Sequence, residues 1–171
     1  MSADVNFVRQ QGFGTASPES CARRYPALMW QPRVVGALVV AGLVLQSWIL
    51  FCALGSVLWW NALVPRLNPF DALHNALVAT PGGRPRLDPA LMPRRFAQGM
   101  GGTFMLAIGA ALFAGATALA VGLQVALVLA LGALVFGRFC LGSAVYYLLT
   151  GQGAFARATL PWAREEAKSE L

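Results

Sequence analysis

Apolar residues run through this chain in two long blocks, residues 34–64 and 96–136, and neither block contains an Asp, Glu, Lys, Arg or His. A helix needs about 20 apolar residues to cross the hydrocarbon of a bilayer. Each block is too long for one crossing and suits two short ones. The pattern therefore predicts an all-α integral membrane protein with four short transmembrane helices in two hairpins. In the first block, Pro32 opens the first span and the polar pair Gln46-Ser47 marks the turn. Trp48 then falls at the far interface and Trp59-Trp60 at the near one, where aromatic belts form. In the second block the turn falls near Gly115.

The segments outside the blocks divide the chain further. Residues 1–31 read as an N-terminal arm and residues 32–79 as the first hairpin with a short interfacial helix behind it. That helix starts at Asn68-Pro69, with Asn as N-cap, Pro at the first helical position and Asp71 in the first turn. Phe70, Leu73 and Leu77 share one of its faces, and Asn61 just before it is placed to cap or bond. Residues 80–93, punctuated by four prolines and Gly82-Gly83, form a linker. Residues 94–150 hold the second hairpin and a second interfacial segment, and residues 151–171 form a tail.

Charge fixes an orientation for this arrangement. All thirteen basic residues lie before, between or after the blocks, and the hairpin tips carry none. Lys and Arg accumulate on the cytoplasmic side, so four crossings place the N-terminus, central loop and C-terminus together in the cytoplasm. With 57% hydrophobic and 12% charged residues, the net charge of +6 is explained by orientation and by anionic lipid rather than by nucleic acid. Residues 1–20 lack the apolar core of a signal peptide, and the expectation is a chain retained whole.

Few residues in the blocks offer chemistry. No carboxylate sits at membrane depth, which disfavours an ion-coupled carrier, and the single amide Gln124 is expected to bond a neighbouring helix. Small residues recur every fourth position, at Gly99, Thr103, Ala107, Ala111 and Gly115 and again at Ala118, Gly122, Ala126 and Ala130. Such stripes let backbones approach closely in lipid. They pack the third and fourth spans on each other or dock a partner.

Three cysteines, Cys21, Cys52 and Cys140, cannot form a disulfide framework, and the first and last fall on the reducing side. Cys140 stands near Arg138 and at a helix start, two features that activate a thiol; the alternative is a small residue packed at a bend that Gly137 and Gly142 permit. His74 reads as a solvated side chain, although Cys21, His74 and Cys140 share the cytoplasmic side and together hold the donors of a metal site. No cofactor is expected.

Pro93-Arg94-Arg95-Phe96-Ala97-Gln98-Gly99, an apolar hairpin and Phe139-Cys140-Leu141-Gly142 together resemble the bacterial family of unknown function DUF4395, over residues 31–151. Cys21-Ala22-Arg23-Arg24-Tyr25 and Asn68-Pro69-Phe70-Asp71 resemble features of a subgroup. The family's usual Cys-Leu-Gly-Cys maps onto Cys140 to Ser143, so the second cysteine is absent here and no local dithiol is available. The resemblance implies a bacterial inner-membrane architecture and does not indicate an activity.

The functional expectation is a non-catalytic accessory or assembly subunit, with the lipid bilayer and a protein partner or second copy as its contacts. Trp162, beside Pro161 in the tail, is a candidate contact because an exposed Trp is costly in water unless membrane or protein covers it. The alternatives are a thiol-dependent redox or sulfur-handling protein using Cys140 and, behind it, a small-solute transporter.

Overall fold

All regular structure in the computed structural model, which describes residues 2–160, is helical. Trp162 and Pro161 lie outside the described residues. The helices are α1 (Ala3–Gln10), α2 (Pro18–Leu28), α3 (Trp30–Leu45), α4 (Trp48–Leu63), α5 (Pro69–His74), α6 (Thr80–Gly82), α7 (Met92–Phe113), α8 (Thr117–Val135), α9 (Leu141–Leu149) and α10 (Gly153–Ala158). Three helical stretches are long and apolar enough to cross a membrane: Pro18–Leu45, which reads through from α2 into α3, then α7 and α8. This is the composition of a membrane protein. The fourth apolar helix, α4, has 16 residues and spans about 24 Å at 1.5 Å per residue.

Local chemistry sets the breaks between these helices. Gln46 takes a left-handed conformation (φ 44°) that ends α3, and its Nε2 donates to the Leu43 carbonyl at 2.6 Å. Ser47 then caps α4, its Oγ accepting from the Leu50 N–H. Between α7 and α8 the left-handed position is Gly115 (φ 68°), which pays no Cβ penalty there. Helix α3 starts at Trp30, ahead of Pro32. Proline is tolerated so close to the start because the N–H groups of a first turn have no intrahelical partner.

The main core lies where α3, α4, α7 and α8 converge, around Val39, Phe51, Leu58, Met105, Ile108 and Leu127. Helix α7 packs most extensively on α4. Glycines permit this approach: a Cβ on Gly109 would fall 2.5 Å from Cys52 Sγ, and one on Gly102 would fall 2.9 Å from the Gly55 carbonyl oxygen. The expected pairing of α7 with α8 through the small-residue stripes is thus not the tightest contact, and Gly102 and Gly109 lie off the predicted stripe. Of that stripe, Gly99 and Ala111 are buried, while Thr103, Ala107 and Gly115 are exposed. On α8, Ala118, Gly122 and Ala126 are exposed and Ala130 is half-buried, whereas Ala120, Gln124 and Leu127 face inward.

The N-terminal arm is folded. Ser2 and Ser17 cap α1 and α2, with Pro18 and Glu19 in the first turn of α2. The two helices build a second core in which Val5, Phe7, Val8, Cys21, Leu28 and Met29 surround Cys140. Polar bonds then tie the arm to the far end of the chain: Asn6 Nδ2 donates to the Thr159 carbonyl at 2.7 Å, the Cys140 N–H donates to Gln10 Oε1 at 3.0 Å, and Tyr147 Oη donates to the Arg9 carbonyl at 3.4 Å. Arg138 and Asp4 form an ion pair at 2.9 Å, and Arg24 reaches Asp88 in the linker at 3.6 Å.

Helix α5 is shorter than the apolar spacing suggested. It has the predicted Asn68 cap and Pro69 start, but passes after one and a half turns into a π-helical turn, Asn75–Ala79. It turns Asp71 and His74 inward and leaves Leu73 and Leu77 exposed. The linker is pinned by Asn75, whose side chain accepts from the Leu87 N–H at 2.7 Å and donates to the Leu87 carbonyl at 3.0 Å.

Candidate functional site

Five polar side chains from three segments meet at the end of the helices that adjoins the second core. Gln31 comes from the first turn of α3, Asn68 and Asp71 from the start of α5, and Arg94 and Gln98 from successive turns of one face of α7. All five are at least nine-tenths buried. Asn68 and Asp71 are three residues apart and Arg94 and Gln98 four apart, so each pair projects from the same side of its helix.

Gln31 Oε1 is the hub. It accepts from Arg94 Nη2 at 2.7 Å, from Gln98 Nε2 at 2.9 Å and from Asn68 Nδ2 at 3.3 Å. Arg94 Nη2 also donates to Asp71 Oδ1 at 2.6 Å, and Asn68 Nδ2 to Asp71 Oδ2 at 3.0 Å. Asn68 Oδ1 meanwhile caps α5 by accepting from the N–H groups of Phe70 and Asp71. The arrangement is neutral overall, because the guanidinium and the carboxylate cancel. Two buried charges survive desolvation only when paired and hydrogen-bonded in this way.

The orientation of the amides follows from donor arithmetic. A guanidinium can only donate, so the Gln31 atom facing Arg94 is its oxygen. Gln98 must then turn its NH₂ toward that oxygen, which leaves Gln98 Oε1 pointing elsewhere. That oxygen is buried and has no hydrogen-bond partner among the described residues.

Beside the network lies a cavity of about 240 Å³. Its walls are apolar side chains of α3, α7 and α8, among them Val35, Phe104, Met105, Leu127 and Leu131, while Gln11, Gln31, Arg94 and Gln98 supply its polar end. Gln11, just beyond α1, is 5% exposed, and its Nε2 is likewise without a partner.

Cys140 also lines this cavity. It is the N-cap of α9 and 5% exposed, and Ser143 Oγ lies 3.2 Å from its sulfur. Arg138 occupies a left-handed position (φ 53°) at the bend and directs its guanidinium to Asp4 and to the Tyr25 ring, 5.4 Å away. Ser143, standing where the second cysteine of the motif would be, instead bonds toward Cys140 and the Pro93 carbonyl.

His74 is not solvated: it is 3% exposed and packs edge-on against Trp30 at 5.8 Å. Its Nδ1 and the indole N–H of Trp30 have no partner among the described residues. Cys21 shares the second core with Cys140, but no three His, Cys, Asp or Glu side chains among the described residues come together as a metal site, so Cys21, His74 and Cys140 do not form one. Asn61 neither caps nor bonds. It is fully buried in α4 with both amide ends unpartnered among the described residues. Gln124 Nε2 donates to Gln46 Oε1 at 3.2 Å, joining α8 to the end of α3.

Sequence reasoning did not find the five-residue network. The signal was present in the motifs Asn68-Pro69-Phe70-Asp71 and Pro93 to Gly99, which contribute four of its members.

No curated protein and no solved structure matches the chain. One family model does, over residues 26–150, a range that contains the whole polar network, all four apolar helices and Cys140. The chain belongs to the family described as Domain of unknown function (DUF4395).

Proposed function

We propose that this protein is a four-span, non-catalytic subunit of a bacterial inner membrane, with both termini and the central loop in the cytoplasm, that docks another membrane protein through the outward face of α8. Four crossings are supported by the ties between the chain's flanking segments. Asp4 with Arg138, Arg24 with Asp88 and Gln10 with Cys140 join the N-terminal, central and C-terminal segments to one another, as an even number of spans requires. Trp48 at one end of α4 and Trp59-Trp60 at the other are all exposed and suit two headgroup belts. The orientation rests on the basic residues of the flanking segments.

Docking is carried by one observation: α8 is the least covered of the apolar helices and turns Ala118, Gly122 and Ala126 outward. Only 17% of its most apolar window is buried, against 33% for Pro18–Leu45 and 39% for α7. Exposed Ala118, Gly122 and Ala126 form a shallow groove between exposed Leu119, Val125 and Leu129. In lipid, a partner helix gains dispersion contacts by settling into such a groove.

A second reading, thiol chemistry at Cys140, draws support from the place of that thiol in the cavity wall. Tagged purification from the native host in mild detergent, with mass spectrometry of stoichiometric companions, separates the two. Companions lost in Gly122→Leu but kept in Cys140→Ser support docking through α8. Companions lost only in Cys140→Ser favour the thiol, and companions indifferent to Gly122→Leu refute the α8 face.

A further inference from the structure

We infer that the groove between α4, α7 and α9 holds one anionic phospholipid, with its phosphate on Arg95 and an acyl chain laid along α7. The groove has a volume of about 440 Å³. Arg95, Gly99 and Thr103 line it at every fourth residue and so share one face of α7. The lining continues from Phe96 to Phe104, about 12 Å at 1.5 Å per residue. Trp59 and Leu63 of α4 and Tyr146 of α9 form its other sides, and among the described residues Arg95 is the one charged group in the lining. The Thr103 hydroxyl is already used, accepting from the Trp59 indole at 3.2 Å and donating to the Gly99 carbonyl at 3.0 Å. The groove is therefore an apolar channel with a cation at the start of α7, the polarity of a phospholipid.

Arg95 is fixed in place but not neutralised. Its Nε donates to the Ala62 carbonyl in the last turn of α4 at 2.7 Å, and its Nη1 lies 3.5 Å from Met92 Sδ. Of the four carboxylates among the described residues, Asp4, Asp71 and Asp88 pair with Arg138, Arg94 and Arg24, and Glu19 lies on α2. None pairs with Arg95. The side chain is half-buried, so an incoming headgroup can reach it. Basic pockets between membrane helices take up anionic headgroups, and a guanidinium forms charge-assisted bonds to phosphate oxygens. A zwitterionic lipid brings its own cation next to the phosphate and gains less. The inference rests on the four-span reading, because α4 must lie in the bilayer beside α7, and is independent of docking through α8.

The test reconstitutes the delipidated full-length chain in phosphatidylcholine bilayers and reads quenching of Trp59 by phospholipids brominated on the acyl chain, the Trp59 signal being the difference from Trp59→Phe. Brominated phosphatidylglycerol should quench at a mole fraction at least about fivefold lower than brominated phosphatidylcholine, the ratio that corresponds to the ~1 kcal/mol of one basic residue near an anionic surface. Arg95→Gln should abolish the difference, and Arg95→Lys, which keeps the charge, should retain it. Arg84→Gln, in the exposed linker, should leave it unchanged, as should soluble glycerol phosphate, which has no chain for the groove. Equal quenching by the two lipids in the wild-type chain overturns the inference whether or not a variant folds, as does relief of quenching by glycerol phosphate. Absence of quenching by either lipid overturns it by a different route, by removing α4 from the bilayer and with it the four-span reading.

Discussion

Arg94 and Asp71 are joined at 2.6 Å with 8% of each side chain exposed, so two segments on either side of the linker are locked by a buried ion pair. Removing one partner strands the other's charge. Arg94→Met should cost about 3–5 kcal/mol, read as a lower thermal midpoint in mild detergent. Adding Asp71→Leu to it should recover much of that loss, because an apolar pair of similar volume needs no counter-charge. Equal destabilisation in the single and double variants would refute the pairing.

The α4–α7 contact depends on missing side chains. Gly109→Val should destabilise strongly, by about 1–3 kcal/mol or more, since even its Cβ would meet Cys52 Sγ at 2.5 Å and the Trp48 carbonyl oxygen at 3.1 Å. Gly122→Ala should be neutral or mildly stabilising in the isolated protein, by up to about 1 kcal/mol, because nothing lies within 4 Å of a Cβ there. Thermal midpoints of the two variants in the same detergent check the contrast.

Thiol labelling should follow burial. Cys140 and Cys21 are 5% and 0% exposed, so a polar, membrane-impermeant maleimide should modify both only on unfolding. Prompt labelling of Cys140 in the folded protein would favour the thiol reading.

Alkaline pH should loosen the C-terminal helices. Burial, with a smaller contribution from Tyr146, raises the Tyr147 hydroxyl above its ordinary 10.0. A raised folded value means that the protonated form supplies stability in full below pH 10, and that this stability fades as pH rises through the folded value. Tyr147→Phe should remove the part of the alkaline loss that titrates above pH 10, measured by circular dichroism against the wild type.

What the sequence disclosed was what local chemistry determines. The helix break at Gln46-Ser47, the turn at Gly115 and the Asn68-Pro69 cap each depend on a few adjacent residues, and each is where the pattern put it. The pattern places Asp71 in the first turn of the interfacial helix and Arg94 among the basic residues between the hairpins but does not pair them, because charge statistics say on which side of a membrane a residue lies and not which residue it faces. Periodicity marked the small residues, but contact with α4 is decided by the register of Gly55 against Gly102 and of Cys52 against Gly109, which no single helix reveals. The N-terminal arm is helical, with caps at Ser2 and Ser17 that the hydropathy pattern did not mark. Its fold needs α9 and Cys140 to bury against, and those lie more than 100 residues away.

Site-specific photocrosslinking in native membranes tests the central proposal most directly, with the crosslinking residue placed at Val125 on α8, beside the groove and 54% exposed, or, for comparison, at Val44 on α3, which is 78% exposed. A discrete protein adduct is expected from position 125 and lipid adducts alone from position 44. Lipid adducts alone from both positions would contradict docking through α8.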